Sequence, residues 1–564
     1  MTRTGEGKHN TGILTMIRLF AKSAEMYLPE KKSYRILAAA AILGIMLPCT
    51  VVVGFLSYVM TEAMIEVENF GGGMLFEMQI LSAFSMIFGI MVIYSILFFS
   101  SDREYLVTLP IPSHTYMMAK FLYAYVAESA MEFLILAAVY VGYFLAVGIN
   151  VGVQEALHPV GILAALIGVF LIPLIPMIYG ALFSLVLTAV LKQVKSARVF
   201  QNMSTVFLMI FGGLFLYSLR GIGKINVENY VESLVRGDNF LFRALNIIFF
   251  PVPWLAEAIS AGSIRYLLIY LAGNALLVAA LYVTGKALYL EGLYTVAALG
   301  SAKKAGIKEA DLKQRSPFRA SFQKELRVIL RTQAFANNTA YVNLLWPFGT
   351  FLLFHYTKGK EGAISTFIAL YQSGKERADL TLVMVILTIA FIATALNSLA
   401  STAFTREGKH LALIKYIPVS YETQLYAKAA VCFVFTYPPL LLTDIILCFY
   451  VGVPFVMGAI YAVFMLLAHL IAMVVGIWLD STTPYVEWDD EYSALRGNIN
   501  VFFNLAVMML VSAAVIGSCF LLYEFVKLPI MVFYGVVFFV LALTTVMLLA
   551  KGEKKILANM ENLE

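Results

Sequence analysis

Charged residues are scarce in this chain. They make up 13% of its 564 residues, and 61% of the residues are hydrophobic, where an ordinary soluble domain runs about 25% charged. Mean hydropathy is +0.84. A water-soluble chain of this length splits into several domains, each with a charged surface. That charge is missing, which excludes a soluble enzyme, a nucleic-acid binder and a disordered chain.

Chemistry-bearing motifs are missing as well. Cys49, Cys432, Cys448 and Cys519 each sit in an apolar run, at spacings that suit neither a metal site nor a disulfide framework. Core packing is their expected role. The six histidines form no H-E-x-x-H, so no metal site is expected. No G-x-x-x-x-G-K-S/T occurs. The longest hydrophilic linker, about fifty residues, falls well short of the usual domain of about 100–150. No catalytic residue and no cofactor are expected in this polypeptide.

Long apolar runs are what the chain has. A membrane-crossing helix needs about 20 apolar residues. Runs free of Asp, Glu, Lys and Arg in the first half are Ile36–Met60, Met78–Ser101, Phe133–Val153, Val160–Leu191, Val199–Leu219 and Tyr266–Gly285. In the second half they are Ala340–Tyr356, Leu380–Thr405, Ala429–Val451 (interrupted by Asp444), Phe455–Leu479, Ile499–Tyr523 and Leu528–Ala550. The third is expected to begin near Phe121 and so to contain Glu128 and Glu132. The expected fold is an all-α polytopic membrane protein of about twelve transmembrane helices, six per half.

Basic residues set the orientation. The stretch to Arg35 carries seven Lys/Arg and three acids, and Gly300–Arg331 carries nine and three. Thr61–Gln79 carries four Glu and no base. Both termini and the middle linker are therefore expected in the cytoplasm. The N-terminus is not expected to be a signal peptide, since its first apolar run is span-length and lacks a small-residue cleavage site. Ile13, Ile17 and Phe20 share a helical face, as do Phe318, Phe322, Leu326 and Leu330. Each set predicts an amphipathic helix in the membrane interface. The expected organisation is a first six-span repeat over 1–299, a basic linker with amphipathic helix over 300–331, and a second six-span repeat over 332–564.

The halves are related. After the second span the chain reads Asp102-Arg103-Glu104, then Pro110-Ile-Pro112-Ser113, then Ala119-Lys120. After the eighth it reads Thr405-Arg406-Glu407, then Pro418-Val-Ser420-Tyr421-Glu422, then Ala427-Lys428. Repeats with an even number of spans insert the same way round, so the two are expected to be parallel. Ser113 and Ser420 are placed to cap a helix, and Lys120 and Lys428 to snorkel where the chain re-enters the membrane. The reading is a short cytoplasmic helix in each half, near Pro112–Lys120 and Val419–Lys428, carrying Tyr116 and Tyr421.

These motifs resemble the permease subunits of bacterial ABC exporters of the type V fold, especially the double-length putative exporter permeases. The segment from Pro484 through Trp488 to Asn500 also resembles a loop of those permeases. The resemblance implies a multi-pass protein of the bacterial cytoplasmic membrane, with an amphipathic helix before each first span and a coupling helix between the second and third. It implies short re-entrant helices between the fifth and sixth spans, for which Asn246–Ala261 is the candidate. It also implies a separate ATPase subunit, expected in two copies and itself holding ATP and magnesium. The residues it assigns to ATPase coupling are Asp102, Arg103, Glu104, Pro110, Ser113, Tyr116, Lys120, Arg406, Glu407, Pro418, Ser420, Tyr421 and Lys428. The transported substrate stays unnamed, membrane lipids are the other expected partner, and no nucleic acid is expected.

Ionisable groups within spans are functional candidates by default. Glu128 and Glu132, four apart on one helical face, Asp444 and His469 are candidates for an intramembrane polar pathway. A proton relay in an ion-coupled secondary transporter is the alternative use, and a buried polar interlock the structural one. A non-transporting membrane partner of another complex is a third reading. The topology predicts that a single cysteine replacing Glu66 reacts with an impermeant reagent from outside, and one replacing Lys304 only from inside. Reaction of both from one side would overturn it.

Overall fold

The computed structural model describes residues 32–66, 68–98, 112–190, 240–299, 315–357, 363–374, 376–488, 491, 493–526 and 529–562. Among the described residues all regular structure is helical. The main helices of the first half are α1 (Lys32–Ile65), α2 (Gly72–Phe98), α3 (Ser113–Asn150), α4 (Pro159–Leu171), α5 (Leu174–Val190), α6 (Phe240–Ile248), α7 (Val252–Ser260) and α8 (Ile264–Leu299). Those of the second half are α9 (Pro317–Arg331), α10 (Leu345–Thr357), α11 (Ala363–Gln372), α12 (Glu376–Leu396), α13 (Tyr421–Val451), α14 (Phe455–Thr482), α15 (Ile499–Leu521) and α16 (Ile530–Glu561). Nine stretches among the described residues are long and apolar enough to cross a membrane: within α1, α3, α4 with α5, α8, and α12 to α16. Helices satisfy their backbone groups internally, as a lipid environment demands. The protein is an all-α multi-pass membrane protein.

The chain divides into two compact units, Met1–Glu25 with Met46–Lys304 and Met26–Ile45 with Ala305–Glu564. In the first, α2 packs on α5 and α3, α8 packs on α5, α7 and α3, and α7 packs on α4. The α4–α5 span breaks at Ile172–Pro173, where proline removes a backbone donor. The apolar stretch from Asn246 is broken at Phe249–Pro251 into α6 and α7, which bury Phe249, Val252 and Leu255 completely. In the second unit α14 is central and packs on α16, α12, α13 and α15, while α13 also packs on α9 and α10.

Several expected elements differ. The third span has no separate short helix before it: α3 runs unbroken from Ser113, and α13 likewise runs from Tyr421. The eighth span stops at Leu396, nine residues before Thr405. There the Asn397 side chain accepts from the Leu399 amide and donates to Asn343 and Thr436, replacing the next helical turn. The seventh span is not one uniform helix. Ala336–Ala340 is π-helical, Tyr341–Leu344 is 3-10, and the α-helical part is only the 13 residues of α10. The second span is helical over Gly72–Phe98. The fifth expected span and the first amphipathic helix lie outside the described residues. Cys432 and Cys519 are buried as expected, but Cys49 is exposed.

A glycine crossing joins α1 to α3. A Cβ on Gly142 would lie 2.2 Å from the Gly54 carbonyl oxygen and 2.8 Å from Ser57 Cβ, and beside it Ser57 Oγ donates to the Val139 carbonyl at 2.9 Å. Gly142→Ala must push the helices apart and is expected to destabilise by roughly 1–3 kcal/mol. A lower melting temperature in detergent would register this. Gly517→Ala, with nothing near its added methyl, should leave it unchanged.

Candidate functional site

The segment between α12 and α13 is the most densely bonded region described. Asn397–Phe404 is a buried turn, and Thr405–Tyr416 follows as a 3-10 segment. Its first donors have no partner within the segment. Asp480, at the end of α14 and wholly buried, supplies one: Oδ2 accepts from the Phe404 and Thr405 amides at 2.6 and 3.0 Å, and Oδ1 from the Thr405 hydroxyl at 2.6 Å. Thr405 Oγ1 also accepts from the Tyr485 amide at 3.1 Å and from Asn498 Nδ2 at 3.0 Å. One donor and two lone pairs are thus all engaged. Trp488 Nε1 donates to the Thr405 carbonyl at 2.9 Å. Gly408 has φ 54°, and a Cβ there would stand 2.7 Å from the Trp488 ring, so glycine is required on two counts.

Behind this segment lies a buried ion cluster. Lys428 on α13 is 1% exposed and donates to Glu325 Oε1 on α9 at 2.7 Å, to Glu407 Oε1 at 2.7 Å and to the Ala403 carbonyl at 2.8 Å. All three ammonium protons are engaged. Lys324 pairs with Glu407 and sits 3.6 Å from Glu325. Two lysines face two glutamates, so the cluster is neutral. Burial acts to raise the Glu407 carboxyl, but the Lys428 and Lys324 ammoniums outweigh it and hold it well below the usual carboxylate range. Arg406 is buried too, its Nη1 donating to the Leu399 carbonyl at 2.7 Å and to Thr402 Oγ1 at 2.6 Å.

This geometry corrects several expectations. Lys428 does not snorkel, because two carboxylates offset its desolvation within the protein. Lys120 is likewise buried, over the Tyr116 ring at 4.7 Å. Tyr116 is no surface handle: it is 6% exposed and packs near Tyr289. Tyr421 is half-buried against the cluster of Phe404, Leu411 and Ile414. Ser420 does cap α13, accepting from the Thr423 amide at 3.4 Å. Ser113 does not cap: it is the first residue of α3, with Pro112 at the cap position. Pro418 is exposed. Asp102, Arg103, Glu104 and Pro110 lie outside the described residues.

On α9 Glu325 and Ile329 are buried against the protein, while Phe318 and Leu330 of the apolar stripe are 45% and 43% exposed. Glu325, Asp480, Thr405, Asn498 and Asn500 were not among the predicted site residues. One signal was available: Glu325 shares a helical face with Phe322 and Ile329, an unusual place for an acid.

The intramembrane candidates separate into two kinds. On α14, wholly buried His469 meets Thr394 Oγ1 at 3.1 Å through Nδ1 and stacks on Tyr437. Asp444 on α13 is buried and accepts from Cys448 Sγ at 3.5 Å. The His469 contact is a polar interlock between α14 and α12, whereas the Asp444 contact lies within α13. Glu128 and Glu132 are half-buried on one face of α3, and Glu132 Oε2 is covered with no hydrogen-bond partner among the described residues. Among the described residues no group of three His, Cys, Asp or Glu could hold a metal ion.

Comparisons with family models, with curated proteins and with solved structures give no match.

Removing Lys428 leaves buried acids facing each other, so Lys428→Met is expected to destabilise by about 3–5 kcal/mol. Thermal unfolding in detergent reads this. Because the Glu407 carboxyl is held low in the folded state, its stabilisation is complete above the ordinary value of 4.5 and fades as pH falls below it. Glu407→Gln should therefore flatten the acid limb of a melting-temperature profile.

Proposed function

We propose that this chain is the membrane-spanning permease subunit of an ATP-driven transporter, an exporter, energised by a separate ATPase chain. In this reading the chain crosses the bacterial cytoplasmic membrane about twelve times as two parallel six-span repeats with both ends inside. The supporting observation is the Thr405–Tyr416 segment. Its base is bonded into α9, α13, α14 and the start of α15, while its tip is open. Lys409, His410, Leu413 and Lys415 are exposed, and Tyr416 is 82% exposed.

Coupling requires an element that transfers a push rather than one that merely lies nearby. A partner gripping the Leu413–Tyr416 tip would press on a segment that cannot slide, because Asp480 and the Lys428 cluster hold its base. The push would pass into α13 and α14 together. ATP and magnesium would be bound by the partner. Two partner copies, one per half, fit the repeat, with the Lys120 region of the first half as the second contact.

Burial shifts the expected contact residues from Tyr116 and Tyr421 to Leu413 and Tyr416. Replacing both with Ala should lower co-purification of the ATPase by roughly tenfold or more, the loss of a contact hot spot, with the melting temperature unchanged. Tyr116→Ala should affect folding rather than capture. Undiminished capture by the well-folded double variant would overturn the docking. Transport that ignores ATP and collapses with an ionophore would move the reading to an ion-coupled transporter.

A further inference from the structure

We infer that the face of α3 around Glu132 binds a lipophilic organic cation, the class of molecule the permease would move; this rests on the transport reading above. Tyr125, Ser129, Glu132 and Leu136 recur at intervals of three and four residues and so share one face of α3. Glu132 has one oxygen fully covered and unpartnered, and Ser85 of α2 is within hydrogen-bonding reach of the carboxyl. One turn earlier, Ser129 is 1% exposed, and its hydroxyl has no partner either. No basic side chain meets Glu132 among the described residues.

The polar seam continues beyond Glu132. Glu77, on α2, also has a covered, unpartnered oxygen, with Ser57 of α1 within reach. Next to it, Tyr140 of α3 bonds Met78 Sδ at 3.4 Å. Tyr270 on α8 is wholly buried, with the Asn274 side chain one turn on within reach of its hydroxyl. Native interiors leave few such atoms unsatisfied. Among the described residues the buried carboxyl oxygens of this kind both lie here, on Glu77 and Glu132, and they mark a place where the protein's own groups do not complete the bonding.

The chemistry narrows the occupant. A carboxylate away from water needs positive charge close by, and an intramembrane acid without a partner points to a transported or titrating species. A small divalent ion would require several oxygen ligands from a converging set of acids, which the described residues lack. Aromatic rings adjoin Glu132 instead. Tyr125 and Phe133 are T-shaped at 6.1 Å, and Phe133 and Phe170 at 5.2 Å. Phe170 is 56% exposed, so the aromatic run leads from the surface toward the acid. Ring faces attract large, weakly hydrated cations, and the carboxylate supplies the charge selectivity.

The test is equilibrium binding of radiolabelled tetraphenylphosphonium to the purified full chain in detergent, with tetraphenylborate as a competitor of the same shape and opposite charge. Saturable binding that tetraphenylborate does not displace is expected. Glu132→Gln should weaken it by roughly tenfold or more, the loss of a close charge contact; Glu77→Gln should weaken it less, and Glu132→Asp should retain most of it. Equal displacement by tetraphenylborate, or undiminished binding by folded Glu132→Gln, would overturn the site. Absence of saturable binding would also overturn it, and infrared bands of protonated carboxyls would then assign the seam to proton transfer. If Glu132→Gln does not fold, the charge-sign competition on the unaltered chain decides alone. The assay contains neither ATPase nor ATP. Failure here with ATPase capture intact rejects the substrate class only, and cation binding without ATPase capture rejects the energy source only.

Discussion

An ammonium group taken wholly out of water has to be met by charge and by acceptors for each of its protons, and Lys428 is met by three elements at once. Glu325 comes from α9, Glu407 from the 3-10 segment, and the Ala403 carbonyl from the turn before it. None of these can leave without exposing a bare charge in a low-dielectric interior. The path of the chain from Leu396 to Tyr421 follows from that requirement. Asp480 adds a second clamp at the same base, accepting the amides that a helix start leaves open. The segment buries Leu411 and Ile414 in an apolar cluster with Phe404 and Ile329. Polar contacts to neighbouring helices fix its base in addition.

The two halves carry similar segments at this point of the sequence. Both place a lysine ten residues after a proline, and both bury it. In the second half Ser420 caps the following helix, whereas in the first Pro112 occupies the cap position and leaves Ser113 inside the helix. The Pro–Ser spacing is shifted by one residue between the copies: Pro110-Ile-Pro112-Ser113 against Pro418-Val-Ser420. That shift decides whether a hydroxyl or a pyrrolidine ring meets the first open amides. Between the two segments the buried lysine is kept while the cap differs.

How much could be read in advance depended on the distance over which each feature is decided. Most long apolar runs are helices, because composition alone decides helix formation in lipid. The Ser420 cap and the break near Pro251 are local, and their signals were plain. Lys428 was misread as a snorkelling residue because its acid partner Glu325 lies 103 positions away. The end of α12 at Leu396 was hidden because Asn397 bonds Asn343 and Thr436, each distant in sequence. Buried polar contacts of long range are what hydrophobic patterning cannot register.

Satisfied and unsatisfied polar groups also mark different tasks within one membrane protein. Asp444 bonds Cys448 on its own helix, and His469 bonds Thr394 on α12 through Nδ1 while its Nε2 is covered without a partner among the described residues. Glu77 and Glu132 each keep a covered oxygen unmatched by any donor. Hydrocarbon surroundings penalise such an atom, and folding alone offers no gain from retaining it. A ligand, a proton or ordered water would complete it. In the transport reading proposed above, both kinds of group would have work to do: bonded networks would move as a body when pushed, and incompletely bonded carboxyls would exchange partners as cargo enters and leaves. The bonded network is the Lys428–Glu325–Glu407 cluster together with Asp480, and the incompletely bonded carboxyls are those of α2 and α3. On that reading the side chains suited to transmit force differ from those suited to hold a passenger.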